Sequence, residues 1–145
     1  MTDAGVPTLD ARGRWLATGV VAVHAVVSIG HGAAHLAVPV DLTAAQEAFV
    51  AIVIAVAPVA ALALLWRGRE RAGTGLLAAS MAAALLFGVY YHYLVPNADN
   101  VASVTGAWAL QFEGTAALVA VTEAAGTAVG AWLGWQARAP WSGRR

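Results

Sequence analysis

The sequence has no cysteine and no lysine, and only 11% of its 145 residues are charged. Without cysteine there is no disulfide, no thiolate metal ligand and no cysteine nucleophile. So few charges cannot cover a water-facing surface, for which about 25% charged residues is typical. The formal net charge is zero. The basic field that draws a protein to nucleic acid is therefore missing, and no nucleic-acid partner is expected. Glycine-rich phosphate loops, nucleophile elbows and HExxH helices are absent too, which removes the common signatures of nucleotide, acyl-transfer and zinc-peptidase chemistry. Hydrocarbon fills the chain instead: 60% of residues are hydrophobic and the mean hydropathy is +0.69. A chain that faces lipid has this composition. All eight cations are arginine, and with alanine and valine abundant this points to a GC-rich prokaryotic gene.

A helix needs about 20 apolar residues to cross a bilayer core, because each residue rises roughly 1.5 Å. Four stretches meet that length, at about residues 15–38, 44–66, 73–95 and 107–135. Pro39 and Asp41, the Arg67–Arg71 run, and Pro96 through Asn100 separate them. None of these connections is long enough to form a soluble domain. The expected fold is all-α: one integral membrane four-helix domain covering residues 1–145. The first stretch is longer than the 7–15 apolar residues of a signal-peptide core and carries three histidines, so it is read as a retained span.

Arginines orient the bundle. Arg12 and Arg14 precede span one, Arg67, Arg69 and Arg71 join spans two and three, and Arg138, Arg144 and Arg145 follow span four. The other two connections carry Asp41 and Asp99 and no cation. Arginine resists translocation, so both termini and the central loop are expected on the cytoplasmic face of a cell membrane. The aromatic residues follow the same division. Trp15, Trp66, Trp132, Trp135 and Trp141 fall at inner ends, whereas Tyr90, Tyr91, Tyr93 and Trp108 fall at outer ends.

Ionisable residues are costly at membrane depth and call for a partner or a hydrated cavity. Span one carries His24, His31 and His35 within roughly 40° of arc at 100° per residue, with Ser28 on the same stripe. Helical rise places His35 about 5 Å and His31 about 10 Å below the outer end of span one, and His92 about 5 Å below that of span three. Glu47 with Gln46, and Gln111 with Glu113, reach similar depth from spans two and four. All four helices are thus expected to supply a polar group to one layer. His31 and His35 have the i, i+4 spacing that lets two imidazoles reach one cation. With His92 as a third nitrogen and Glu113 or Glu47 as an oxygen, the set suits iron, copper or zinc. The competing reading is that these rings only hydrogen-bond helices together.

Deeper in the bundle, His24 and Glu123 lie roughly 21 and 24 Å from the outer ends of their helices and are expected to pair. Met81 lies at similar depth as a further cofactor-binding candidate, although methionine on an apolar face is usually packing. Gly30 and Gly32 beside His31, and Gly88 one turn before His92, leave room for a haem b with histidine axial ligands. Gly126, Gly130 and Gly134 form a small-residue stripe that marks a tight contact, within the bundle or with a second copy or partner subunit. Pro58 should kink span two and release the Ile54 carbonyl.

Three functions fit these residues. The first is a metal- or haem-binding protein, such as an electron-transfer or oxidoreductase subunit, built on His31, His35, His92 and Glu113. The second is a proton-relay or transport subunit that also uses His24 and Glu123. The third is a non-catalytic accessory subunit of a membrane complex.

Overall fold

The computed structural model describes residues 9–38 and 40–138; Pro39, Trp141, Arg144 and Arg145 lie outside that range. Four helices, α1 (Ala11–Ala37), α2 (Ala44–Trp66), α3 (Glu70–Leu94) and α4 (Ala109–Gln136), are long and apolar enough to cross a bilayer. Among the described residues there is no strand. The sides of the bundle display large apolar residues, with Leu36 92% and Ile29 74% exposed. Those side chains would be costly in water and are at home in lipid, so the helices point to a membrane location.

Local chemistry sets the helix ends. Asp10 caps α1 by accepting from the Gly13 amide at 2.8 Å, which starts this helix four residues before the apolar run. Thr43 and Gln46 form a reciprocal capping box at the start of α2, satisfying amides that have no helical acceptor. Between α2 and α3 the chain turns on Gly68, whose φ of 75° lies in the left-handed region. The turn closes with the Arg69 amide on the Leu64 carbonyl at 2.9 Å.

Two helices widen locally into π-helix, at Val50–Val56 in α2 and Tyr90–Leu94 in α3. The first stretch ends just before Pro58, which has no amide to give to Ile54. The second carries His92. Such i→i+5 turns are marginal by themselves and often mark functional positions.

The most intimate packing is between α3 and α4, followed by α1 on α4 and α2 on α3. Small residues allow it. A methyl group added at Gly130 would lie 2.6 Å from the Ala78 amide nitrogen, and one at Gly73 would lie 2.9 Å from the Ala61 carbonyl oxygen. Gly126 faces Met81 and Gly134 faces Thr74. The glycine stripe is therefore packed on α3 inside the chain.

Two apolar clusters divide the core. One, near the Arg67–Arg71 end, gathers Ala17, Val21, Ala61, Leu65, Leu77, Met81 and Leu133. The other, at the opposite end, gathers Ala34, Val38 and Phe112. His24, His31, His92 and Glu123, all buried, occupy the layer between or beside them.

A buried carboxylate ties the first end together. Glu70 accepts from the Leu9 amide at 2.7 Å and from Arg14 at 2.9 Å. Replacing Glu70 with alanine leaves both donors unpaired and should lower unfolding stability by about 1–3 kcal/mol. Thermal melting in detergent would read this, and an unchanged midpoint would mean that water replaces the carboxylate without loss.

Candidate metal centre

Three of the four histidines converge at the end of the bundle away from the Arg67–Arg71 turn. His31, His35 and His92 each offer one ring nitrogen, and these atoms all lie within 4.8 Å of one another. The closest pair is His31 Nε2 and His92 Nε2, 3.2 Å apart. Two nitrogens bound at about 2.0–2.1 Å to one tetrahedral ion lie ~3.3 Å apart, so this spacing is that of neighbouring ligands. Phe112, fully buried, closes one side of the cluster with ring centroids 5.2, 4.9 and 5.6 Å from those of His31, His35 and His92.

Hydrogen bonds decide which nitrogens are free. The Thr115 hydroxyl lies 2.7 Å from the Gln111 carbonyl oxygen and 3.0 Å from His31 Nδ1, and its single proton can go to either. His92 Nδ1 donates to the Asp99 carbonyl at 2.9 Å. His92 is thereby held as the Nδ1–H tautomer with a lone pair on Nε2. His31 faces it either with a second lone pair, which calls for a cation between them, or with an Nε2–H, which makes the 3.2 Å contact a hydrogen bond. An outer hydrogen bond like that behind His92 is what orients a metal-ligating histidine. His35 Nε2 lies 3.4 Å from Asp99 Oδ1, and that oxygen is 3.2 Å from His92 Nδ1. The buried His35 Nδ1 has no hydrogen-bond partner.

The loop after α3 puts Asp99 there. The π-turn shifts the register of the last carbonyls, and the loop folds back to satisfy them. Asn97 Nδ2 donates to the Tyr91 carbonyl at 3.1 Å, and the Val101 amide donates to the His92 carbonyl at 3.0 Å. The Asn97 side chain accepts from the Asp99 amide, fixing the turn.

Several sequence expectations are corrected. Glu113 is exposed and lies outside the cluster. Phe112 holds the inward position of that turn, and a one-residue step rotates a side chain 100° around the helix. Gln111 and Glu47 are exposed for the same kind of reason, and Gln46 is used in the α2 cap. The polar layer therefore comes from His31 and His35 of α1, His92 of α3, Thr115 of α4 and the loop after α3. Asp99 supplies the carboxylate, and the dense Asn97–Asn100 turn directly after His92 was the signal for it.

His24 does not pair with Glu123. The Thr122 hydroxyl donates to the Val119 carbonyl and so accepts from His24 Nδ1 at 3.1 Å, while Ser28 reaches His24 Nε2 at 3.4 Å. Both ring nitrogens are occupied, which describes a structural histidine. Met81 packs against Gly126 and is fully buried in the apolar cluster, where its sulfur faces no cavity ligand. Gly30 and Gly32 are exposed, and the histidine rings pack directly on one another, with centroids 4.7 and 4.9 Å apart. No slot for a flat macrocycle separates them. The cluster fits a compact ion and does not fit a haem held between its rings.

Beside the triad lies a cavity of about 280 Å³ lined by residues from all four helices, including Gly88, Val119 and Glu123. The chain matches no protein-family model, no curated protein and no solved structure.

Proposed function

We propose that this chain is a multi-pass membrane metalloprotein whose ion is bound by His31, His35 and His92, with Asp99 orienting the rings. The observation that carries this reading is the set of three ring nitrogens within 4.8 Å of one another, with His31 Nε2 and His92 Nε2 3.2 Å apart, the spacing of neighbouring ligands. Three neutral nitrogens next to a cavity leave a coordination position for water or substrate, as in catalytic sites. The ligand set suits zinc, ferrous iron or cupric copper. The arginine distribution supports a cytoplasmic location for the termini and the Arg67–Arg71 turn, with the ion in the outer leaflet. A role in electron transfer or oxidoreduction requires iron or copper, since zinc has no redox chemistry at this potential range.

The competing role as mere helix glue needs a shared proton between His31 and His92. His31 supplies that proton as Nε2–H when the Thr115 hydroxyl donates to its Nδ1, so metal uptake decides between the two roles. A proton relay along the bundle needs a link from His24 to Glu123, and His24 bonds to Thr122 and Ser28 instead.

Elemental analysis of protein purified in mild detergent tests the proposal, with one ion per chain as the expected result. Cobalt(II) loading should give the visible absorption of a four-coordinate N/O site. Thr115→Val removes the bond behind His31 while keeping side-chain shape. It should weaken metal binding about 10–100-fold. Wild-type protein that takes up no ion from excess zinc, cobalt or copper would end the metal reading.

A further inference from the structure

Glu123 is 1% exposed, lines the cavity beside the histidine triad, and neither carboxylate oxygen has a hydrogen-bond partner. Gly88 keeps the approach to it clear: a methyl group there would lie 3.7 Å from Glu123 Oε2 and 3.9 Å from the His92 ring. A buried acceptor left unsatisfied is costly, so the cavity is incomplete until something brings a donor.

The cavity is not closed toward lipid. Helix α1 packs on α2 mainly through the half of α2 that follows Pro58, whereas the π-helical half leans on α3. A cleft between α1 and α2 results. A second cavity of about 270 Å³ continues along it and shares Ser28, Val50 and Ile54 with the first. Ile29, 74% exposed, and Val59, 58% exposed, flank this lower part. At the rim of the upper part is Gly32, exposed and with nothing within 4 Å of an added methyl group.

From this geometry we infer that the cleft between α1 and α2 binds a lipid-soluble phenol or alcohol with a hydrocarbon tail. Its hydroxyl donates to the Glu123 carboxyl group in the upper cavity, and its tail lies along the lower cleft. Size agrees: an apolar cavity of about 150 Å³ holds benzene, so the upper cavity takes a substituted ring. Entry through hydrocarbon selects an uncharged molecule, because a charge at that depth is costly. The mostly apolar walls provide burial, and Glu123, whose two side-chain oxygens are both unpartnered, provides orientation across from the edge formed by the histidines and Asp99. This site goes beyond the metal reading and needs no ion.

The test uses full-length protein in nanodiscs, treated with chelator and dialysed against protein-free nanodiscs containing 4-octylphenol or its donor-less ether, 4-octylanisole. Wild-type protein should retain the phenol about tenfold more tightly than the ether, the upper range of a hydrogen bond between neutral groups. Glu123→Leu keeps the shape of the cavity wall and should erase that preference while leaving ether binding. Gly32→Phe, at the rim where there is free space, should weaken both ligands together without changing the fold. Equal binding of phenol and ether, a preference that survives Glu123→Leu, or no retention of either would overturn the proposal. So would tighter binding of 4-octylbenzylammonium, since that outcome makes the site a cation receptor. Because the ion is absent throughout, failure of the metal reading leaves these results unchanged.

Discussion

Substituting His92 with alanine is expected to lower zinc or cobalt affinity by more than the 10–100-fold that follows loss of an outer hydrogen bond. His92 contributes twice. Its Nε2 stands 3.2 Å from His31 Nε2, and its Nδ1 ties the Asp99 loop to α3. Removing the ring leaves His31 and His35, two nitrogens on one helix, without the opposing ligand. His31→Ala should be equally damaging, because it takes the other member of the close pair. His24→Ala is the contrasting control. Its nitrogens are engaged by Thr122 and Ser28, so metal affinity should hold while stability falls by about 1–3 kcal/mol. Titration with a competing chelator checks all three variants. Equal metal binding by wild type and His92→Ala would sink the assignment of the triad.

The second large effect is structural. Gly130→Leu should destabilise the bundle by about 3 kcal/mol or more, at the upper end of overpacking costs. The obstacle is backbone: a Cβ at this position would meet the Ala78 nitrogen at 2.6 Å and its Cα at 3.0 Å. Neither atom can rotate away, so α3 and α4 must separate along their tightest seam. Gly126→Ala meets the Met81 side chain, which can partly rearrange, and should cost less. Gly134→Ala approaches the Thr74 hydroxyl at 3.3 Å and should be milder still. Gly30→Ala, with no neighbour within 4 Å, is expected to be neutral. Unfolding in mixed detergent micelles gives this order. If Gly130 proved as tolerant as Gly30, the α3–α4 seam would not be where the structure places it.

The same seam explains why the glycine stripe was ambiguous in sequence. Small residues at every fourth position permit close approach, but which helix approaches depends on packing that periodicity does not encode. Met81 has a similar history. Its depth was readable from helical rise, yet only its position over Gly126 distinguishes a packing methionine from a ligand.

The membrane helices needed no tertiary information, because span length and hydropathy reflect a solvent that forbids unsatisfied backbone. The convergence of His31, His35 and His92 was also within reach, since helical rise and phase place residues in depth and around a helix. Glu113 marks the limit of that reasoning. Depth alone made it equivalent to a ligand, but one residue of phase put Phe112 inside and Glu113 out. The partnering of His24 with Thr122 was invisible for a related reason: it depends on the rotation of α4 about its own axis.

By itself, then, the amino-acid order determined that four apolar helices form, how long each is, and at what height its polar residues stand. Those properties follow from local geometry and from the cost of placing charge and bare peptide groups in hydrocarbon. The folded bundle alone decided that a loop aspartate flanks the histidines, that Glu123 faces a cavity without a partner, and that the glycines serve an internal contact. Each of these depends on the relative rotation and approach of separate helices, which is set by the fit of their side chains against one another.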